Sequence, residues 1–504
     1  MRRYNQPHWA RGVHHDGSAM YVSNPLPALG ETVTLTLRVP KDAPIEQVVL
    51  WTTLDGEIFP LQMHVNEETT TSKFYRAQLT ITQPRTNYHF KFLAEHDAGV
   101  HAWYYTTLGL SMAETPESDD FALLADYAAP DWVRDAVFYQ IFVDRFYNGD
   151  PSNDVQDGEY ERGGAFTRKR KWGDSPASWR EGRSMDFFGG DLQGIIDKLD
   201  YLQDLGITAL YLNPIFTALS NHKYDIQNFH EVDKHFGGDD ALAQLRDALD
   251  ARGMHLILDV TPNHISFKHP WYTAVLADSS ALTRDYFIYV DQGDGRGYYE
   301  TWMGVDSLIK LNYASQALRD AMYRERDSVL RHWLDEPYRI DGWRLDVANM
   351  TANWDHQQLD HEVWREVRTT LKADNPQLYL MGEYFMDGTP HLQGDELDAT
   401  MNYMGFNTPM RRWLGGADAN PFGRSLAVDR QPLATEALAE QWIRFMGAIP
   451  YSIALQQFNQ LSSHDISRIK RVCNGDMALV KLGMALLVAF PGTPCIYYGD
   501  EVGL

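Results

Sequence analysis

Two cysteines in 504 residues, Cys473 and Cys495, cannot build a disulfide framework and lack the spacing of a metal site. Basic residues are also scarce. Lys and Arg total 45 against 69 Asp and Glu, a formal net charge of −24. Such a surface repels phosphate backbones and anionic headgroups, so neither nucleic acid nor a membrane is expected as a partner. No apolar run reaches the length of a bilayer span. The N-terminal stretch "MRRYNQPHWARGVHHDG" has no apolar segment long enough for a signal peptide. The chain has no internal repeat and no low-complexity tract. A soluble, cytoplasmic protein is the expectation, with a leader already removed by processing as the alternative.

What is present is ordinary globular composition, 44% hydrophobic and 23% charged, at a length that suggests two or more domains. Aromatics reach 12%, with 14 Trp and 27 Tyr. A large aromatic core accounts for them, and so does a surface that stacks on flat sugar faces.

Residues 1–125 carry "TVTLTLRVP", "EQVVLWTTL", "KFYRAQLTI" and "TNYHFKFLA", which alternate or run with β-branched and aromatic residues between turn formers. This predicts an N-terminal antiparallel β-sandwich. "AETPESDDFALLADYAAP" (113–130) reads as a linker. In residues 126–504 apolar strands alternate with amphipathic helices, from "AVFYQIF" to "TPCIYYGDE". Eight strands are expected, hence a (β/α)₈ barrel, with an inserted domain at 263–312 after the third strand. "ALRDAMYRERDSVLRHWLDE" reads as one helix. The chain stops at Leu504, directly after strand eight, so the helix and domain that would cover that strand are expected to be missing from a truncated product.

The strand ends hold the chemistry, as barrels of this kind require. They carry Asp144 and Arg145, Asn213, Asp259 with Asn263 and His264, Arg344 with Asp346, Glu383, Asn402, His464 with Asp465, and Asp500 with Glu501. Any one of these could be a satisfied structural group; their common placement is the signal. "RIDGWRLDVANM" (339–350) puts Arg344 and Asp346 on one strand face. A guanidinium beside it would lower the Asp346 pKa and keep the carboxylate ionised, as a nucleophile needs. Glu383 ends "LYLMGE" with no cation beside it in sequence, so partial desolvation would raise its pKa and suit it to general acid work. Two carboxyls with opposed shifts are the pair used in glycoside hydrolysis.

With these motifs the sequence resembles the α-amylase family of glycoside hydrolases. "DVTPNH" (259–264), "GWRLDVANM" (342–350), "GEYF" (382–385) and "SSHD" (462–465) are similar to its four signatures. "LIKLN" (308–312) resembles the "MPKLN" motif of the neopullulanase and cyclomaltodextrinase subgroup, and "HKYDI", "FFGGDLQGI" and "GTPCIYYGDEVG" match further motifs. The resemblance implies Asp346 as nucleophile, Glu383 as acid/base and Asp465 as the residue that binds ring hydroxyls and stabilises the transition state. Arg344, His264 and His464 would line the same subsite, with Tyr224 stacked on its sugar. A retaining mechanism follows, with carboxyls about 5–5.5 Å apart.

"NGDPSNDVQDG" (148–158) resembles that subgroup's calcium loop. Asn148, Asp150, Asn153, Asp154, the Gly189 carbonyl and Asp191 would hold a structural Ca²⁺, a hard-oxygen set. An ordinary Asx-rich turn is the plain alternative. Relatives in the subgroup usually have glutamate where this chain has Met350; methionine there is the maltodextrin glucosidase pattern. The leading expectation is therefore hydrolysis of α-1,4 bonds in short maltodextrins, with cyclodextrins and pullulan as the alternative substrates. The N-terminal domain resembles the starch-binding-like domain of those relatives and suggests a homodimer. A metal-dependent barrel hydrolase is disfavoured because Arg344 would repel a cation, and a non-catalytic amylase-like protein because all three carboxylates are present.

Overall fold

The computed structural model describes residues 7–97, 99–293, 296–415 and 432–504. It divides into two compact units. The first comprises Met1–Ala129 with Thr389–Gly394 and Leu433–Gln456; the second is the rest of the chain.

The first unit is antiparallel throughout. One sheet pairs Thr32–Pro40 with Ser72–Thr80 and then His64–Glu68. The other runs Glu57–Gln62, Ile45–Leu54, Arg85–His96, Gly99–Thr106 and Gly109–Ser111. Period-two alternation explains its core: Val33, Leu35, Leu37 and Val39 point inward from one strand, meeting Phe90, Phe92 and Trp103. The segment expected as a linker contains a further strand, Phe121–Leu124, paired with Arg85–Tyr88. Its apolar "FALL" is short but buries three of its side chains, Phe121, Leu123 and Leu124, which is what draws it onto the sheet. The compact unit accordingly runs to Ala129, past the boundary at 125 read from the sequence.

The second unit holds eight parallel strands: Phe138–Ile141, Ala209–Leu212, His255–Val260, Gly342–Leu345, Tyr379–Gly382, Ala399–Thr400, Phe458–Gln460 and Thr493–Tyr497. Each pairs with its neighbour, the first with the eighth, and a parallel bridge from Met401 to Phe458 joins the sixth to the seventh. The barrel expected from the alternating pattern is formed. Phe138, Tyr211, Ile257, Tyr379, Met381, Met401 and Phe458 fill its interior. Phe138 lies between Tyr379 and Phe458, with ring centroids 6.0 and 5.2 Å away. This aromatic plug makes the interior a core and leaves only the upper rim for polar groups.

The inserted segment forms a short antiparallel pair, His264–Ser266 with Leu308–Lys310, a hairpin from Tyr289–Gly293 and Arg296–Tyr299, and the helix Pro270–Ala277. The long helix expected at 317–336 is broken. Gln316–Arg319 passes into a wider turn, Asp320–Arg324, Glu325 becomes extended, and a second helix covers Val329–His332. Arg319, Tyr323 and Arg324 all reach Glu366, and Arg331 donates to the Arg324 carbonyl, so side-chain anchoring overrides helical propensity there.

Gly342 has no room to be anything else. A Cβ on it would lie 2.5 Å from the Tyr379 carbonyl oxygen and 2.9 Å from the Ile257 Cγ2. Gly342→Ala is expected to cost about 1–3 kcal/mol through strain between strands three, four and five. Thermal unfolding checks it; an unchanged Tm would mean the interior has slack at this level.

Candidate active site

The site begins one residue above the aromatic plug. Inward positions alternate along each strand, so Asp259 follows Ile257, Arg344 follows Gly342, and Glu383 follows Met381. The register sets Asp259 beside Arg344 and Arg344 beside Met381. Arg344 is fully buried. Its Nη1 lies 2.6 Å from Asp346 and 3.1 Å from Asp259; its Nη2 lies 3.1 Å from Glu383 and 3.9 Å from Asp465. Its Nε approaches the Met401 sulfur at 3.4 Å.

The structure brings the seven residues expected at the sugar site together. Asp346, Glu383, Asp465, Tyr224, His264 and His464 line one cavity of about 1530 Å³, with Arg344 beneath them. Two expectations change. Glu383 does have a cation beside it, supplied by the neighbouring strand. And Arg344 does not hold Asp346 low. Burial pushes the Asp346 carboxyl well above the usual carboxylate range, Arg344 opposes this, and Glu383 and Asp259 add to the rise. Burial likewise raises Asp259 to about 6 and Asp465 to about 8. Asp259, Asp346 and Asp465 face one guanidinium, so these three share protons and titrate together. Asp346 has the shortest contact to the guanidinium and Asp465 the longest, so Arg344 opposes the rise more strongly at Asp346. A third of the Asp465 side chain is open, which tempers its rise.

A hydrogen-bonded chain orients the far wall. Gln140 Nε2 donates to His464 Nδ1 at 2.8 Å, so His464 carries its proton on Nε2. That proton goes to the Tyr224 hydroxyl at 2.7 Å, which in turn donates to Asp259 at 2.7 Å. Tyr211 donates to the same Asp259 oxygen, and Asn213 to the Tyr224 hydroxyl. Burial drives His464 well below its ordinary value, so it is neutral. The Tyr224 ring stacks against His464 at 5.3 Å and 12°. Gln140 and Tyr211 were not legible as site residues; only their inward register on strands one and two marks them.

One backbone position is strained. Val347, directly after Asp346, has φ +49°, which a β-branched residue rarely adopts. Its N–H donates to Glu383 Oε2 at 2.7 Å.

The oxygen-rich loop gathers its expected residues except the Asp150 carboxylate. Asn148 Nδ2 donates to Asp154 at 2.7 Å, and Asp191 accepts from Gly149 N, Asp150 N, Gly194 N and Asn153 Nδ2. A Cβ on Gly189 would lie 2.3 Å from Asp154 Oδ1. The Asn148 and Asn153 side-chain oxygens are buried with no hydrogen-bond partner. Orphaned hard oxygens on amides whose NH₂ groups meet Asp154 and Asp191 fit a cation. Asp150 stands apart, its carboxylate turned to Ser152, and Lys169 reaches Asp154 at 2.6 Å. Among the described residues no helix is long and apolar enough to cross a membrane.

The family described as "Alpha amylase, catalytic domain" matches residues 140–504. A cyclomaltodextrinase of Geobacillus thermopakistaniensis is 37% identical over 75% of this chain and 58% of its own length. Neopullulanase 2 of Thermoactinomyces vulgaris is 34% identical over 75% and 58%. The type III pullulan hydrolase from Thermococcus kodakarensis superposes with a TM-score of 0.71 at 27% identity, over 97% of this chain and 81% of that one. The chain thus spans about 58% of the length of such curated relatives.

A carboxyl whose pKa is raised by folding binds its proton more tightly when native. Stability is therefore lost as pH rises from the unfolded value, near 4, toward the folded one. For Asp465 that upper limit is about 8. Asp465→Asn mimics the protonated form, so its Tm should exceed wild type by about 2 °C at pH 8 and match it at pH 4. A gain that shrinks with rising pH would reverse the sign of the argument.

Proposed function

This chain belongs to the α-amylase family, and from that premise we propose that the protein is a retaining glycoside hydrolase cleaving α-1,4-glucosidic bonds of cyclomaltodextrins and related short α-glucans. The observation that carries this is the pair Asp346 and Glu383, held on the two arms of one buried guanidinium at the floor of a wide cleft. Glu383 protonates the glycosidic oxygen while Asp346 attacks the anomeric carbon and forms a glycosyl-enzyme. Glu383 then removes a proton from water, which releases the sugar with retained configuration. Asp465, in its protonated form, donates to ring hydroxyls, and neutral His464 keeps the Tyr224 wall in place.

The named relatives support this substrate class over the maltodextrin glucosidase reading drawn from Met350. Met350 does line the cleft, and it is the observation that favours glucose release from linear maltodextrins as the second reading. Product analysis on γ-cyclodextrin, pullulan, maltotriose and soluble starch separates them. Cyclodextrin and pullulan should be opened faster than starch, with maltose and panose as early products. Glucose as the main early product from every substrate would favour the second reading.

Asp346→Asn is expected to leave less than about one per cent of the wild-type rate while sugar binding persists. A larger residue of activity would remove Asp346 from its role. In the loop, Asn148, Asn153, Asp154, Asp191 and the Gly189 carbonyl would hold a Ca²⁺ that acts structurally, by binding the folded state alone. Chelation should then lower Tm by roughly 2–4 °C, and added Ca²⁺ should restore it. A Tm indifferent to chelator would leave the loop an ordinary turn.

A further inference from the structure

Lys310 is a buried cation that the hydrolytic scheme does not use. It lies opposite His264 in the short antiparallel pair. Its Nζ donates to Asn263 Oδ1 at 2.7 Å and to the Met350 carbonyl at 3.0 Å. Burial lowers it to about 8, with Glu300 opposing, so it remains an ammonium at neutral pH.

That contact has a consequence two bonds away. An ammonium only donates, so it must face the oxygen of the Asn263 amide, never its nitrogen. The amide nitrogen is thereby turned to His264 Nδ1, 3.1 Å away. An amide NH₂ also only donates, so Nδ1 must be the acceptor and the ring proton must sit on Nε2. Burial, reinforced by the Lys310 charge and opposed by an approach to the Tyr224 backbone, lowers His264 to about 3, which keeps the ring neutral. Trp302 stacks on it at 5.4 Å and 24° and fixes its plane. Apart from that backbone approach, the Nε2 is buried without a hydrogen bond of good geometry, in a ring that lines the cleft. A buried N–H left unpaired is costly, and an incoming hydroxyl can satisfy it.

We propose that Lys310 is a positioning residue: acting through the Asn263 amide, it sets the His264 tautomer so that Nε2–H is presented as a donor to a substrate hydroxyl. Through the Met350 carbonyl the same ammonium ties down the turn that follows Asp346. The inference rests on reading the cleft as a glucan site, but the relay itself does not.

Asn263→Asp tests it. The carboxylate keeps the contact to Lys310 and loses only the donor to Nδ1, which it converts into an acceptor of an Nδ1 proton. Histidine-selective ¹⁵N spectra, with the His264 ring assigned by its absence in His264→Gln, should change from the Nε2–H to the Nδ1–H pattern. With maltotriose, kcat/KM should fall about tenfold or more while Tm is maintained. Lys310→Met, in which the amide is free to turn, should give a mixture of tautomers. An unchanged Nε2–H pattern in Asn263→Asp, or kcat/KM within about twofold of wild type, overturns the proposal. The ring signal needs no turnover. A switch of tautomer in a protein that hydrolyses no α-glucan supports the relay and rejects the hydrolase reading.

Discussion

Everything at the barrel rim is organised around the contact between the Arg344 guanidinium and the carboxyl groups that surround it. The arginine is inaccessible to solvent and stands on Met401 and the aromatic floor. A charge so placed is tolerable only when it is paired, and removing one partner of such a group costs several kcal/mol. The planar fork presents two directions at once, which a lysine cannot do. Asp346 is hydrogen-bonded to one arm and Glu383 lies 3.1 Å from the other, while Asp259, fully buried behind them, supplies compensating charge and anchors Tyr211 and Tyr224.

The arrangement carries more negative charge than the arginine can balance, and that imbalance is useful. A fully compensated cluster would hold no proton near neutral pH. Excess carboxylate in a desolvated floor keeps one available, at the edge where Asp465 opens toward the cavity. The histidines around it take the opposite course: burial keeps His264 and His464 neutral, so they serve as directed hydrogen-bond donors and add no positive charge.

Much of this could be read from the chain. Period-two alternation located the strands, and charged residues just beyond each apolar run located the rim. What could not be read depends on neighbours across the sheet. "LYLMGE" contains no base, yet Glu383 meets Arg344 because parallel register sets Arg344 beside Met381. The rise of the Asp346 pKa was missed for the same reason: adjacency in sequence shows the guanidinium two residues away but not the two other carboxyls or the loss of water. "FALL" was overlooked because four residues amid Pro, Ser and Asp give too little pattern, and the helix break at Glu325 because its cause lies in Glu366 of another helix. The oxygen loop was legible from composition, while its orphaned amide oxygens were not.

The left-handed turn at Val347 has a mechanical meaning. One peptide unit connects the proposed nucleophile to the proposed acid: it is covalently continuous with Asp346 and hydrogen-bonded to Glu383. The two groups therefore cannot drift independently. A sliding of strand four against strand five that displaced one would drag the other along through that N–H, so their spacing behaves as a rigid strut. A carboxyl pair set by side-chain rotamers alone would wander with each rotamer hop. Here the gauge is built into the main chain.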